Sequence, residues 1–193
     1  MSDILTIDTG FGIPATPKEE DILPYKLVDP SHPALHEPIP EYDETSLPNY
    51  HMSHLIKRLK MTMKLYGGIG ISANQCGIRE RVFIIGNEHF QMACINPRIV
   101  ETGKEVAKLK EGCLSFPGLT LNIARHTSIK VVYYTESGEQ KLIDFDGITA
   151  QCFQHELDHM NGSLFTEHVG PLALKMAKKK QDKLIKQYTR ITK

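Results

Sequence analysis

The run His155-Glu156-Leu157-Asp158-His159 constrains this chain more than any other feature. On a helix, residues four apart share a face with Cβ atoms about 6 Å apart. The spacing therefore aims two imidazoles at one point and sets a carboxylate beside them. Apolar periodicity predicts that helix from Ile148 to Met160, ended by Asn161-Gly162. Ile148, Cys152, His155 and His159 fall on one face, which mixes ligand-type and small groups and suits a pocket wall. Phe153, Leu157 and Met160 fall on another and suit the core. Two histidines at this spacing also occur as surface or satisfied core residues. The intervening Glu156, placed to handle the proton of a water, favours a metal site.

The third ligand decides what kind of site it is. A zincin-type protease takes it from downstream, where Glu167 and His168 follow the helix. The long spacing HExxHxxGxxH requires a histidine at position 165, and Phe165 stands there. Upstream, Glu111-Gly112-Cys113-Leu114-Ser115 offers a thiolate in a tight segment leading to Pro117-Gly118. Taken alone, Cys113 reads as a small buried hydrophobe. Taken with His155 and His159, it completes three protein ligands and leaves a fourth position open, the arrangement of a catalytic site. A third segment, Gly68-Ile69-Gly70-Ile71-Ser72-Ala73-Asn74-Gln75, lacks the last glycine of a dinucleotide fingerprint and the Gly-Lys-Ser/Thr ending of a P-loop. Its glycines admit another backbone at close range, and Gln75 offers an amide N–H to an oxyanion.

Composition bounds the setting. With 193 residues, 40% of them hydrophobic, and 23 basic against 23 acidic side chains, one globular domain is expected, with no general pull toward DNA or membrane. No apolar run approaches the ~20 residues of a membrane span. The first residues, MSDILTIDTG, do not read as a secretory leader, so a cytoplasmic protein is expected. Cys76, Cys94, Cys113 and Cys152 form no CxxC pair and read as reduced thiols. Charge is unevenly spread: residues 1–50 hold ten Asp/Glu against two Lys, whereas 171–193 hold seven Lys and Arg190 against Asp182.

Residues 1–50, with Pro24, Pro30, Pro33, Pro38 and Pro40, read as an extended arm packed on the body, Leu23–Val28 among its contacts. Residues 51–170 read as the catalytic domain and 171–193 as its Lys-rich C-terminal helix, starting at Pro171. Met52, Leu55, Ile56, Leu59, Met63 and Tyr66 predict a helix stopped by Gly67-Gly68, its Met-rich stripe serving as core. Strands are expected at Arg81–Ile85, Met92–Ile95, Ser128–Tyr134 and Lys141–Phe145, the last two as a hairpin. In the tail, Leu174, Ala177, Leu184, Tyr188 and Ile191 keep partial helical phase. The class is α+β, with mixed or antiparallel strands around a central HExxH helix.

In this order, the three segments resemble peptide deformylase, a family carrying GxGxAAxQ, EGCLS and QHExDHxxG; this chain reads GIGISANQ, EGCLS and QHELDHMNG. The match spans about 68–162. Ser72 replaces the usual Ala, and Thr120 stands where some relatives carry an Arg near the bound peptide. The resemblance implies removal of the N-formyl group from formyl-methionyl nascent peptides, with release of formate. It implies Glu156 as general base and then acid, and Gln75 with the Leu114 N–H as oxyanion donors. It implies a peptide added as a strand along Ile69 and Gly70, beside Gly112, with methionine in a pocket of Leu109, Ile148 and Cys152. Glu111 and Arg125 form an implied ion pair behind the Cys113, His155 and His159 ligands, and Asp158 reads as structural. One divalent ion is implied, Fe(II) physiologically, with Zn, Ni or Co able to occupy the site. By the same analogy, the basic tail docks on the ribosome; its bland alternative is an amphipathic cap with a solvated Lys face. Beside this reading stand a zincin endopeptidase and a metal-binding protein without turnover.

Overall fold

A computed structural model describes residues 22–191, with side chains as far as Gln187. Residues 1–21 of the arm, and the side chains of Tyr188 and Ile191, lie outside the described residues. The elements are α1 (Tyr50–Leu65), β1 (Gly70–Ser72), β2 (Val82–Gly86), β3 (Gln91–Thr102), β4 (Val106–Gly112), β5 (Thr120–His126), β6 (Ser128–Tyr134), β7 (Gln140–Asp146), α2 (Gly147–Met160) and α3 (Pro171–Ile191). Every strand pairing is antiparallel. One sheet runs β1-β2-β3-β6-β7, and β4-β5 form a separate ribbon. With three helices beside antiparallel sheets, the fold is α+β.

Strand β2 explains how the layers stack. Its Val-Phe-Ile-Ile run is buried residue after residue, as a strand covered on both faces must be. Val82 and Ile84 join Ile71, Ile95 and the α1 stripe of Met52, Leu55, Ile56, Leu59 and Met63 in one core. Phe83 and Ile85 point the other way, toward Phe153 and Met160 of α2 and Ile129 and Val131 of β6. The Phe83 and Phe153 rings meet edge-on with centroids 5.0 Å apart, a geometry aromatic quadrupoles favour. A third core of Leu119, Leu121, Ile123 and Phe165 lies where the ribbon meets Leu174 and Ala177 of α3. Helix α2 touches β1, β2, β6 and β7 of the sheet and β5 of the ribbon.

Helix α1 begins where the Asn49 side chain accepts the Met52 N–H at 2.8 Å. Its last stripe residue, Tyr66, is exposed rather than core. The proline-rich stretch from 22 to 48 lies on the body, with Leu35 and Ile39 fully buried. Tyr25 N donates to Thr62 Oγ1 at 2.8 Å and Val28 N to Gln75 O at 2.9 Å. Ile39 N reaches Met160 O at 2.9 Å, and Arg81 clamps the same corner by donating to the Ile39 and Met160 carbonyls.

The strands differ from expectation in two ways. β3 continues to Thr102 instead of ending at Ile95, passing through Pro97. The ladder absorbs the proline in a register shift between Ile95 and Arg98, with Asn96 at φ 49°, and bulges are where strands tolerate proline. Asn96 is locked there by accepting from Tyr42 N at 2.7 Å and donating to Tyr42 O at 2.8 Å. The ribbon was not expected because its inward positions include Glu111 and Arg125, which interrupt the apolar alternation that marks a half-buried strand.

Gly162 ends α2 at φ 73°, and a Cβ there would sit 2.6 Å from the Glu37 carbonyl carbon and 2.8 Å from Pro38 N. Backbone cannot yield as a side-chain tip can. Gly162→Ala is expected to cost about 2–3 kcal/mol of stability, measured by urea unfolding; an unchanged midpoint contradicts this packing.

Candidate active site

Three elements converge on one cleft. Helix α2 delivers His155, Glu156 and His159, the turn after β4 delivers Cys113, and the short 3-10 turn after β1 delivers Gln75. The donor atoms of Cys113, His155 and His159 lie within 4.8 Å of one another, the one such His/Cys/Asp/Glu cluster among the described residues. Cys113 Sγ is 3.3 Å from His159 Nε2. His155 Nδ1 lies 3.1 Å from Glu111 Oε2. A carboxylate can only accept, so Nδ1 donates, and Nε2 is the ring nitrogen that can exchange its proton for a cation.

Electrostatics fit a cation at this point. Burial drives His159 well below its ordinary value, keeping it in the neutral form that binds metals. Burial opposes charge on His155 too, but hydrogen bonds with Cys113 and Glu111 lift it to about 10. The surroundings therefore favour one positive charge, and one sulfur with two imidazole nitrogens is a donor set for a borderline divalent metal with a free coordination position.

Glu156 lies beside this cluster and outside it. Its Oε2 is buried without a protein partner. Burial raises its pKa to about 7, where a carboxyl can both take and return a proton. Gly70 makes room for it: a Cβ on Gly70 would stand 2.3 Å from Glu156 Oε1 and 2.8 Å from Cys152 Sγ. Gln75 is fixed at both ends. Its Oε1 accepts from Ser72 N at 3.0 Å, while its Nε2 donates to Ser115 Oγ at 3.0 Å and toward Cys113 Sγ at 3.4 Å.

Behind the cluster, Glu111 is a hub. It accepts from Arg125 Nε at 2.8 Å and Nη2 at 3.1 Å, and from Gln151 Nε2 at 3.3 Å, besides His155. Arg125 also donates to Asp158 Oδ2 at 2.7 Å. Burial alone would raise the Glu111 pKa; hydrogen bonds with His155 and Arg125 instead bring it down to about 2.

The cleft in front has a volume of about 510 Å³. Ile69, Gly70, Gly112, Leu114, Ile148 and Cys152 all line it. Leu109 does not; it is half-buried on β4 opposite Ile123, and the cleft wall starts one residue later at Lys110. The downstream candidates for a third ligand are occupied elsewhere: His168 Nε2 lies 2.9 Å from Asp158 Oδ2, and Glu167 accepts from Ser163 Oγ at 2.8 Å. Sequence reasoning did not single out Gln151 and Tyr66, which line the cleft, or Ser115, which holds the Gln75 amide. Gln151 carried a usable signal, since it sits three residues after Ile148 and four before His155 on the same helical stripe.

Comparison with known proteins shows the family. A family model described as polypeptide deformylase matches residues 24–175. The chain belongs to the polypeptide deformylase family. The peptide deformylase of Thermotoga maritima is 36% identical over 144 residues, which is 75% of this chain and 84% of that protein. The solved structure of a peptide deformylase from Synechococcus elongatus in complex with actinonin superposes with a TM-score of 0.77 at 32% identity, covering 82% of this chain and 88% of the other. A class I type b peptide deformylase from Acinetobacter baumannii with Met-Ala-Ser bound gives 0.73 at 29% identity, covering 77% and 99%.

Removing the cation from the Glu111 hub tests its energetics. Arg125→Met leaves a buried carboxylate short of its main partner and is expected to cost about 3–5 kcal/mol. In the metal-free protein the depressed Glu111 pKa makes its contribution complete above the ordinary value of 4.5 and lost as pH falls toward about 2. Urea unfolding of wild type and Arg125→Met across that range checks both; parallel stability curves would contradict the hub.

Proposed function

We propose that the chain removes the N-formyl group from formyl-methionyl ends of nascent peptides, releasing formate. The observation that carries this reading is Glu156: a buried carboxylate with a free oxygen and a pKa near 7, beside a three-donor cluster that is open toward a cleft. Cys113, His155 and His159 hold one divalent ion, Fe(II) in the cell, with Zn, Ni or Co able to replace it. When bound, the ion supplies Lewis-acid polarisation of water and of the formyl carbonyl. Glu156 takes a proton from the attacking water. The water oxygen bonds to the formyl carbon, the C–N bond breaks, and Glu156 returns the proton to the leaving amine. Ser115 occupies one N–H bond of Gln75 and the other is directed toward the Cys113 sulfur, so the amide is aimed at the ligand cluster; with the Leu114 N–H it stabilises the tetrahedral oxyanion, each donor worth about 3–4 kcal/mol.

Strand β1 pairs with β2 on one side only, leaving Ile69 and Gly70 to take an extended peptide as an added strand, with Gly112 across the cleft. Ile148 and Cys152 receive the methionine side chain, with Leu109 behind them on the same face of β4 as the cleft-lining Glu111. Glu111 and Arg125 orient His155 from behind. Residues 51–170, built around α2, form the catalytic body, the described part of the arm, residues 22–50, straps it, and α3 caps it. The reaction belongs in the cytoplasm, where nascent chains emerge. Among the described residues, no helix is long and apolar enough to cross a membrane. An endopeptidase reading lacks its ligand after His159, and a purely structural site has no use for a poised Glu156.

Helix α3 turns Leu174, Ala177, Gln181 and Leu184 inward and leaves its lysines exposed, a charge pattern suited to ribosomal RNA phosphates. Changing Lys178, Lys179 and Lys183 to Glu is expected to weaken co-sedimentation with ribosomes and flatten its salt dependence, measured at several salt concentrations; unchanged binding removes that contact.

The reaction itself is tested by formate release from formyl-Met-Ala-Ser. Glu156→Ala is expected to keep one metal per chain and lose about 10²–10⁴-fold in kcat. Cys113→Ala is expected to lose the metal. Wild-type turnover by Glu156→Ala, or full metal content in Cys113→Ala, overturns the assigned roles.

A further inference from the structure

Gln151 is a polar residue placed where the cleft should be apolar. It lies on the α2 stripe between Ile148 and His155, next to Cys152, and lines the cleft with all three. It is only 7% exposed. Its Nε2 donates to the Lys110 carbonyl at 3.2 Å and to Glu111 Oε1 at 3.3 Å. Amide orientations are usually a matter of choice, but here both neighbours are acceptors. The nitrogen must face them, and the oxygen must face away. Among the described residues Oε1 has no protein donor, nor is it one of the sealed, partnerless atoms of the interior. With the nitrogen held against Lys110 and Glu111 and the residue lining the cleft, the oxygen is the acceptor left on the cleft side.

We propose that Gln151 determines specificity for the first side chain of the peptide, favouring chains that end in a hydrogen-bond donor and disfavouring chains that end only in an acceptor. The proposal rests on the deformylase reading, which seats that side chain against Ile148 and Cys152. An apolar side chain that covers Oε1 desolvates it without replacement, and an acceptor-only chain adds lone-pair repulsion. A terminal amide N–H satisfies it. A site with an unpaired polar group discriminates against ligands that leave it so.

Glutamine, norleucine and methionine sulfoxide are close to methionine in length and separate these cases as donor-bearing, apolar and acceptor-only. The experiment compares kcat/KM for the formylated peptides X-Ala-Ser, with X each of the three, using metal-loaded full-length protein and formyl-Met-Ala-Ser as control. The wild type is expected to process the glutamine peptide faster than the sulfoxide peptide; the reverse order, or equality, overturns the proposal. In Gln151→Leu and Gln151→Met, the glutamine-to-norleucine ratio is expected to fall by about threefold to tenfold, one neutral hydrogen bond's share. A fall smaller than threefold overturns it. Because each ratio is taken within one enzyme, any effect of losing the Gln151–Glu111 bond on the metal ligands cancels. Failure of the wild type on formyl-Met-Ala-Ser itself would instead sink the deformylase reading, and the proposal with it.

Discussion

A single buried carboxylate joins the parts of this protein that chain order keeps apart. Glu111 ends the β4-β5 ribbon, yet its partners are Arg125 on the neighbouring strand and Gln151 and His155 on α2. An isolated buried carboxylate would be too costly to keep charged. Here the guanidinium fork takes both oxygens, and side chains from α2 take what remains. That arrangement fixes the height of the ribbon against the helix. Cys113 is two residues further along the same strand end, so its sulfur arrives beside His159 as a consequence of where Glu111 is held. Apolar packing alone would let the ribbon slide; a bidentate pair with a defined hydrogen-bonding direction does not.

A second support comes from behind the Cys113 turn. Phe116 packs at a tilt against Phe165 with ring centroids 5.6 Å apart, and Gln181 of α3 donates to the Pro117 carbonyl at 2.7 Å. Leu174 and Ala177 pack on the same small core. Helix α3 is therefore more than a charged appendage: its inward stripe holds the turn that presents the thiol, while its outward face is free to carry lysines. One helix satisfies both demands because the inward stripe takes only one residue in three or four.

What was legible in the sequence follows from how local each signal is. The α1 stripe, the β6-β7 hairpin and α2 each carry their own periodicity and end signals, and they appear within a residue or two of where periodicity puts them. The candidate ligands were legible because residue type and spacing both bear on coordination chemistry. The ribbon was not, since Glu111 and Arg125 look like surface residues until Arg125, opposite Ala107, is seen to reach along the ribbon's inward face to Glu111. β3 was cut short at Asn96-Pro97 for a similar reason: the bulge that accommodates the proline is secured by Tyr42, a residue 54 positions earlier. Leu109 is an intermediate case: it shares the inward face of β4 with Glu111, but Glu111 lines the cleft and Leu109, two residues earlier, lies just beyond that lining.

The same reasoning explains why the cleft wall can carry an amide at all. In a strictly apolar pocket a glutamine would bury three unsatisfied groups: two N–H bonds and a carbonyl. At position 151 the ribbon supplies acceptors for the nitrogen from Lys110 and Glu111, so only the oxygen is left over, and it faces space that a ligand can enter. The polar group is tolerated in the metal-free fold by the contacts that align His155, and it becomes costly only when something apolar closes over it. Stability and selectivity thus act on opposite ends of one side chain, and a substitution there trades one against the other instead of affecting both alike.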